Sequence, residues 1–203
     1  GTFTHEYQLI PSGGTPVSDR RRTGTARASI EFGTVFAKGS TRIKDNKNIP
    51  TTGEWLQSNR YIRNFQMSLP IGIKASDCFY HTLCKLSSKK MPKKFEEERG
   101  RLVDAYVDGH KYVFGKRVMI YGEEDLVLGM LGLEPVLIGS GGNSGKMRDE
   151  TFKIFPELEL TLKVMDDCDF ETMCDVATEV KPDILIGNSK GYYISRKLKV
   201  PLV

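Results

Sequence analysis

The most chemically suggestive segment is a glycine-rich run at residues 139–146, which reads GSGGNSGK. Runs of this kind can cradle phosphate groups with their backbone N–H groups. This one departs from a Walker loop, because Ser140 stands in place of the first glycine and Met147 in place of the magnesium-binding hydroxyl. It also departs from the dinucleotide fingerprint, whose third glycine is replaced by Ser144. The run is therefore not a specific phosphate loop.

Three carboxylates follow a predicted strand at 117–121, in the segment Gly122-Glu123-Glu124-Asp125. A dinucleotide-binding fold would place the pyrophosphate at this turn. Acidic residues at the start of a helix stabilise the helix but repel a phosphate group. The segment therefore disfavours nucleotide binding.

Five residues are candidates for facing a ligand, because each follows a predicted strand at the carboxyl edge of a parallel sheet, where doubly wound folds bind ligands. They are Gly139, Gly141, Gly142, Asn188 and Ser189. The alternative for the last two is structural, since Asn and Ser are ordinary N-cap residues for a following helix. Both interpretations stay open.

The four cysteines form two pairs of the same spacing, Cys78 with Cys84 and Cys168 with Cys174. On one helix, residues six apart lie about 240° apart around the axis, so the thiols of a pair cannot face one metal ion. The short spacing of a zinc knuckle is also missing. We therefore predict no metal site and expect reduced cysteines that pack in or near the core.

No catalytic residue is assigned from the sequence. The histidines, His5, His81 and His110, are scattered, and no Ser-His-Asp order or paired carboxylates stand out. His110 lies near aromatic residues on a predicted helix, which favours a packed or surface role.

The candidate ligand-facing residues lie in a part of the chain where short apolar runs alternate with segments whose apolar residues have helical spacing. Near-continuous apolarity is typical of strands in a parallel sheet, which helices cover on both faces. The alternation predicts a doubly wound parallel α/β lobe over residues 117–203. Its predicted strands are 117–121, 135–138, 158–164, 184–186 and 201–203, and its clearest helices are 169–180 and 189–198.

Residues 1–91 are less regular and predict a second, partial α/β lobe. We expect a helix start at Thr15-Pro16 and a polar loop at 39–50. The predicted strands are 28–32 and 62–67, and the predicted helices are 51–58 and 76–86.

A long helix is predicted between the two lobes, at residues 92–114. Pro92 stands in its first turn, and the acidic residues 96–98 complement the positive end of the helix dipole. A helix of about 22 residues spans roughly 33 Å. We therefore predict a bridging helix over 92–116, with Gly115 as its stop.

The connection between the first two strands of the 117–203 lobe is short. About a dozen residues separate Tyr121 from Glu134, which is near the minimum for a parallel crossover with both turns. A helix over 124–131 would be about 12 Å long, against about 16 Å for each flanking strand. We expect residues to be absent near 130–132, and the apolar end at 201–203 suggests a fragment of a longer chain.

The composition disfavours nucleic-acid and membrane proteins. The chain has 203 residues, 39% of them hydrophobic, and a net charge of +4 from 30 basic and 26 acidic residues that interleave. No apolar run approaches the ~18 residues of a membrane span, and the first residues lack the apolar core of a signal peptide. We expect a cytoplasmic protein with no nucleic-acid or membrane partner.

Several ordered blocks of the sequence resemble the β-type subunits of nitrogenase component 1. The clearest are LPIGIKASD at 69–77, EERGRLVDA at 97–105 and KPDILIGNS at 181–189. His110, residues 115–118, Tyr121-Gly122, the early residues 11–16 and the closing residues 200–203 continue the match in the same order. The resemblance covers essentially the whole chain and is more specific than one glycine-rich loop.

The resemblance implies two Rossmann-like lobes with parallel sheets, linked by the long helix, as a fragment of a three-domain subunit in a heterotetramer. It implies an α-type partner subunit and reduction through an iron protein. The intact complex would hold an iron-sulfur cluster and an iron-molybdenum cofactor or its precursor. The family's cluster-binding cysteines lie upstream of the matched region, so no cysteine here is assigned as a ligand.

Two functions compete within this family. The segments at 106–117 and 187–203 are more similar to the scaffold subunit on which the iron-molybdenum cofactor is matured than to the catalytic β subunit of the molybdenum-iron protein. We therefore expect an architectural role in cofactor assembly, with no catalysis by this chain alone. The metal of the parent system stays open.

Two interpretations lie outside this family. One is a two-lobe protein that binds a small molecule or nucleotide sugar through the 139–145 loop, Asn188 and Ser189. The other is an interaction domain, which predicts exposed apolar surface on the long helix.

Overall fold

The computed structural model describes residues 22–33, 50–129 and 134–203. The chain divides into two compact units, and the division falls between Val103 and Asp104, inside a 21-residue helix. The helix start expected at Thr15-Pro16 lies outside the described residues, as do all but the last residue of the polar loop expected at 39–50.

The first unit contains a parallel strand–helix–strand crossover. Strands β1 (Ala28–Phe32) and β2 (Arg63–Met67) pair in parallel, and helix α1 (Thr52–Arg60) connects them. The helix begins at a capping box, in which the Thr51 side chain accepts from the Glu54 amide and the Glu54 side chain accepts from the Thr51 amide. Both orphan donors at the helix start are thus satisfied locally.

Two longer helices follow, α2 (Gly72–Ser87) and α3 (Lys93–Val113). Arg99 of α3 donates to both carboxylate oxygens of Asp77 on α2, at 2.7 and 2.9 Å. None of the helices in the described part of the chain is long and apolar enough to cross a membrane.

The helices and strands predicted for the described part of this unit are present, with small shifts at their ends. The largest shift is in α2, which begins at Gly72 rather than at residue 76. No side chain caps its start, since the N-cap position is Ile71. The sequence therefore carried no capping signal for its first turn.

The second unit is built on a parallel sheet of four strands, which are β3 (Arg117–Tyr121), β4 (Glu134–Gly139), β5 (Lys163–Met165) and β6 (Ile184–Ile186). From β3 the chain moves to β4 and β5 on one side, then crosses to β6 on the other side of β3, which is a doubly wound order. Leu202 adds a parallel bridge to Leu185 beyond β6. The predicted α/β class with parallel sheets is confirmed.

Helices cover both faces of this sheet. Val118 and Ile120 face one side and pack with Met147, whereas Met119 and Tyr121 face the other side and pack with Met173. The alternation follows from the two-residue period of a strand, and both faces are apolar because both are covered. The helices are α4 (Glu124–Gly129) and α5 (Met147–Ile154) on the first face, and α6 (Phe170–Val180) and α7 (Tyr192–Leu198) on the second.

The predicted strand at 158–164 is confirmed only at residues 163–164, and its first five residues are not a strand. The amides of Thr161 and Leu162 bond back to the carbonyl of Leu158, at 3.1 and 2.9 Å, so the backbone turns there. Leu162 is buried while Leu160 is 98% exposed, and β5 begins only at Lys163. Helix α4 is described as far as Gly129, and residues 130–133 of the predicted helix and its following turn lie outside the described residues.

Candidate functional site

The carboxyl edge of the second unit's sheet carries all five predicted ligand-facing residues. Gly139, Gly141 and Gly142 lie at the end of β4, and Asn188 and Ser189 follow β6. Because β3 lies between β4 and β6, the end of β3 separates the two groups by about 10 Å at the level of the strands. The sheet places both groups on one edge without bringing them into direct hydrogen-bond contact.

The glycines after β4 have different structural roles. A side chain at Gly139 would overlap the thioether of Met173, so this glycine lets α6 pack closely on the sheet. Gly141 is exposed, and its nearest neighbour would be the Cys168 carbonyl oxygen at 3.7 Å, which is ordinary contact. Close packing therefore explains the first glycine but not the second.

The loop that follows β4 is held by its own hydrogen bonds. The Gly142 carbonyl accepts from the Asp167 amide at 2.7 Å, and the Asn143 side chain donates to the Asp167 carboxylate at 2.9 Å. The Gly142 amide donates to the Ser140 hydroxyl at 2.9 Å. A phosphate cradle needs amides that are free to donate, and this amide is already engaged.

A buried carboxylate lies beneath this loop. Glu124 is fully buried, and its Oε1 accepts from the Ser144 amide at 3.4 Å. Its Oε2 has no hydrogen-bond partner within residues 22–33, 50–129 and 134–203. A Cβ atom at Gly142 would lie 3.1 Å from Oε1, so the glycine makes room for the carboxylate. A carboxylate in this place opposes the binding of a phosphate group by the loop after β4.

Asn188 and Ser189 begin a short 3₁₀ turn. The Asn188 side-chain oxygen accepts from the Lys190 amide at 3.0 Å, which is the geometry of an N-cap. Ser189 is exposed. The capping role proposed as the alternative for Asn188 is therefore present, and ligand binding by either residue stays a prediction.

Tyr121 fills the place where the strand order reverses, between β3 and β6. Its side chain is 3% exposed and its hydroxyl donates to the Asn188 carbonyl at 2.5 Å. A Cβ atom at Gly187 or Gly191 would overlap its ring. Doubly wound folds bind ligands at this reversal, and here an aromatic ring and a glycine-containing turn close it.

Burial changes the acidity of two groups at this edge. Burial raises the pKa of the Tyr121 hydroxyl, and a hydrogen bond with the backbone of Gly191 offsets part of the increase. Burial also raises the pKa of the Cys168 thiol, which donates to the Ser140 carbonyl at 3.3 Å. Both groups are therefore held in their neutral forms, which disfavours a thiolate nucleophile or metal ligand at Cys168.

The described cysteines do not fit an iron-sulfur cluster, whose irons are held by several convergent thiolates. Cys78 is exposed on α2, Cys84 is half-buried, and Cys174 lies fully buried in the core of the second unit. Among residues 22–33, 50–129 and 134–203, no group of three or more His, Cys, Asp or Glu side chains could hold a metal ion. We therefore derive no step through a cluster bound by these residues.

The two described histidines lie on the exposed faces of helices. The His81 ring nitrogen Nδ1 lies 2.6 Å from the Asp77 carbonyl oxygen of its own helix. The His110 ring packs against Phe114, with 4.9 Å between the ring centroids. Neither has the surroundings of a general base.

Sequence reasoning missed the roles of Glu124 and Tyr121. Glu124 was one of three consecutive acidic residues, and the pattern did not show which of them would be buried. Tyr121 is a polar aromatic residue at the end of an apolar strand, which is the signal that could have suggested a hydrogen-bonded buried hydroxyl.

A family model described as nitrogenase component 1 type oxidoreductase matches residues 1–203. The nitrogenase molybdenum-iron protein β chain of Frankia alni is 32% identical, over 98% of this chain and 37% of its own length. That of Clostridium pasteurianum is 27% identical, over 100% of this chain and 43% of its own length. The chain thus spans about two fifths of the length of the curated relatives it matches.

A solved structure shows the same similarity in three dimensions. The structure described as "Nitrogenase Cp1 at pH 6.5" superposes with a TM-score of 0.76 at 27% sequence identity. The match covers 98% of this chain and 43% of that chain.

Proposed function

The chain belongs to the nitrogenase component 1 type oxidoreductases, as a β-type member, and we propose that it is part of a scaffold subunit for assembly of the iron-molybdenum cofactor. In this role it supplies architecture: two α/β lobes that hold a partner and position cofactor-binding residues located elsewhere in the complex. The chain by itself carries no catalysis.

The observation that carries this proposal is that the sequence identity between this chain and each of several catalytic β chains is nearly the same. Eight molybdenum-iron protein β chains, from organisms including Frankia alni, Nostoc and Methanothermobacter, are all 25–32% identical to it. A subunit that separated from catalytic β chains before they diverged would have this distribution.

The positions of the cysteine thiols and of the carboxyl edge of the sheet, in the described residues, support an architectural role. The thiols are dispersed, and the sheet edge at which a ligand would bind is closed by Tyr121 and by the hydrogen-bonded loop after β4. An iron-sulfur cluster and the iron-molybdenum cofactor or its precursor would then be held by residues outside the described segments, with electrons delivered by an iron protein.

The surface of α3 supports binding of an α-type subunit. Its second half exposes Tyr106, Val107 and Tyr112, and Phe114 follows directly, with exposures of 53, 70, 73 and 74%. Exposed aromatic side chains of this kind are enriched at protein interfaces. The proposed partner would cover them.

A complementation experiment separates the scaffold from the catalytic function. The gene is deleted in its host, and purified iron-molybdenum cofactor is added to the extract. Restored substrate reduction is expected for a scaffold, because component 1 itself is still made and lacks only its cofactor. Activity that stays absent after the addition would assign the chain to the catalytic β subunit.

A thermal-shift screen addresses the alternative of a small-molecule-binding protein. A ligand that binds the folded state raises the unfolding midpoint by mass action. We expect no shift with nucleotides or sugar phosphates. A saturable shift that is lost on changing Asn188 and Ser189 to alanine would favour the binding protein instead.

A further inference from the structure

The carboxylate of Glu124 is an unusual buried group. The side chain is fully buried, yet among the residues that the structure describes Oε2 has no hydrogen-bond partner, and Oε1 has a long contact, 3.4 Å from the Ser144 amide. Buried charges are generally paired or coordinate metal ions, because leaving water without compensation is costly. The free oxygen therefore marks a place where a positively charged group would fit.

The Ser140 hydroxyl, in the loop after β4, lies on the same side of Gly142 as this carboxylate. The Ser140 hydroxyl and Glu124 Oε1 lie 3.2 and 3.1 Å from a common point, the position of a Cβ atom on Gly142. The Ser140 hydroxyl accepts a hydrogen bond from the Gly142 amide at 2.9 Å. The hydroxyl of Ser144, whose own amide contacts Glu124, accepts one from the Lys146 amide at 3.1 Å. A hydroxyl oxygen has two lone pairs, so each retains one for a further contact.

We propose that Glu124, with the hydroxyls of Ser140 and Ser144, binds a monovalent cation, Na⁺ or K⁺, beneath the 140–145 loop. The ligands are all oxygens, which suits hard cations and disfavours the transition metals that prefer imidazole and thiolate. One carboxylate balances one positive charge, whereas a divalent ion would leave net charge in a buried site. The bound ion would fasten the loop to the start of α4.

This inference does not depend on the proposed function, and a salt-substitution experiment tests it on the intact chain. Thermal unfolding is measured in sodium, potassium and choline chloride at equal ionic strength. We expect the midpoint to be about 3–6 °C higher with the preferred small cation than with choline, which is too large for the site. The shift should saturate with cation concentration, and ²³Na resonance broadening by the protein should report binding directly.

Two neighbouring carboxylates provide matched variants. Glu124→Gln removes the charge at nearly constant shape and should abolish both the cation-specific shift and the ²³Na broadening. Glu123→Gln changes the adjacent exposed carboxylate and should leave both intact. If Glu124→Gln does not fold, Ser144→Ala should reduce the cation-specific shift.

Three outcomes would overturn the proposal. One is an equal midpoint in all three salts for the unaltered chain. Another is a cation-specific shift that persists in a folded Glu124→Gln variant, and the third is an unchanged shift in Ser144→Ala.

Discussion

The hydroxyl of Tyr121 donates a hydrogen bond to the backbone carbonyl of Asn188 and so ties the end of β3 to the turn after β6. The two residues are far apart in sequence, and the parallel pairing of β3 with β6 brings them together. Their contact closes the point at which the strand order reverses.

Tyr121→Phe should lower the free energy of unfolding by about 1 kcal/mol, the usual net value of one hydrogen bond. Urea unfolding followed by circular dichroism measures the change. Tyr193→Phe is the matched control, since that ring is 57% exposed and its loss of a hydroxyl should have little effect. Equal stability of the Tyr121→Phe variant and the unaltered chain would show that this contact is not stabilising.

The same hydroxyl should make stability fall in alkaline solution. Because burial raises its pKa in the folded state, the folded chain retains the proton over a pH range in which the unfolded chain has lost it. Stability is then fully present below the unfolded tyrosine pKa of about 10 and is lost as pH rises through the folded pKa. Unfolding midpoints between pH 8 and 11 should fall less steeply for Tyr121→Phe than for the unaltered chain.

Gly187→Ala and Gly191→Ala should each destabilise the chain by about 1–3 kcal/mol, because the added methyl group must displace a buried ring. Gly141→Ala is the control, since its methyl group would meet only the Cys168 carbonyl oxygen at 3.7 Å. Chemical denaturation of the three variants measures their free energies of unfolding, and that of Gly141→Ala should be the highest. Comparable stability of all three would mean that the Tyr121 ring moves aside easily.

The ion pair between Asp77 and Arg99 should contribute to acid sensitivity. A hydrogen bond from Arg99 lowers the pKa of Asp77, so its stabilisation is present above the unfolded Asp value of 3.8 and is lost as pH falls through the folded pKa. Arg99→Lys keeps the charge but loses the forked geometry. We expect the unfolding midpoint of this variant to change less between pH 5 and pH 2 than that of the unaltered chain.

Glu31 should contribute to the stability of the first unit. Its carboxylate accepts from the Thr51 hydroxyl at 2.6 Å, the Gly53 amide at 2.6 Å and the Asn64 side chain at 3.0 Å. Glu31→Gln places a donor against these donors and should cost about 1–3 kcal/mol. Glu54→Gln preserves the capping box and is the control, with urea midpoints as the measurement.

Much of this fold could be predicted from local patterns. The helical spacing of apolar residues at 169–180 predicted α6 to within one residue. In the structure Asp169 caps this helix and accepts from the Thr172 amide at 2.8 Å. The strands at 117–121 and 184–186 were also predicted with their observed ends. The strand prediction at 158–164 was wrong over most of its length because the alternating leucines, Leu158, Leu160 and Leu162, gave no sign of a turn. The backbone turns at Leu158 and leaves Leu160 exposed to solvent.

The sequence by itself determined the α/β class, the parallel sheet and the family, because strand and helix periods and ordered blocks of residues are local properties of the chain. Only the tertiary structure decided that Glu124 is buried beside Ser144 and that Tyr121 closes the edge beneath Asn188. The burial of a side chain and its hydrogen-bond partners depend on which distant segments the sheet order places side by side. The spacing of residues within any one segment does not determine that order.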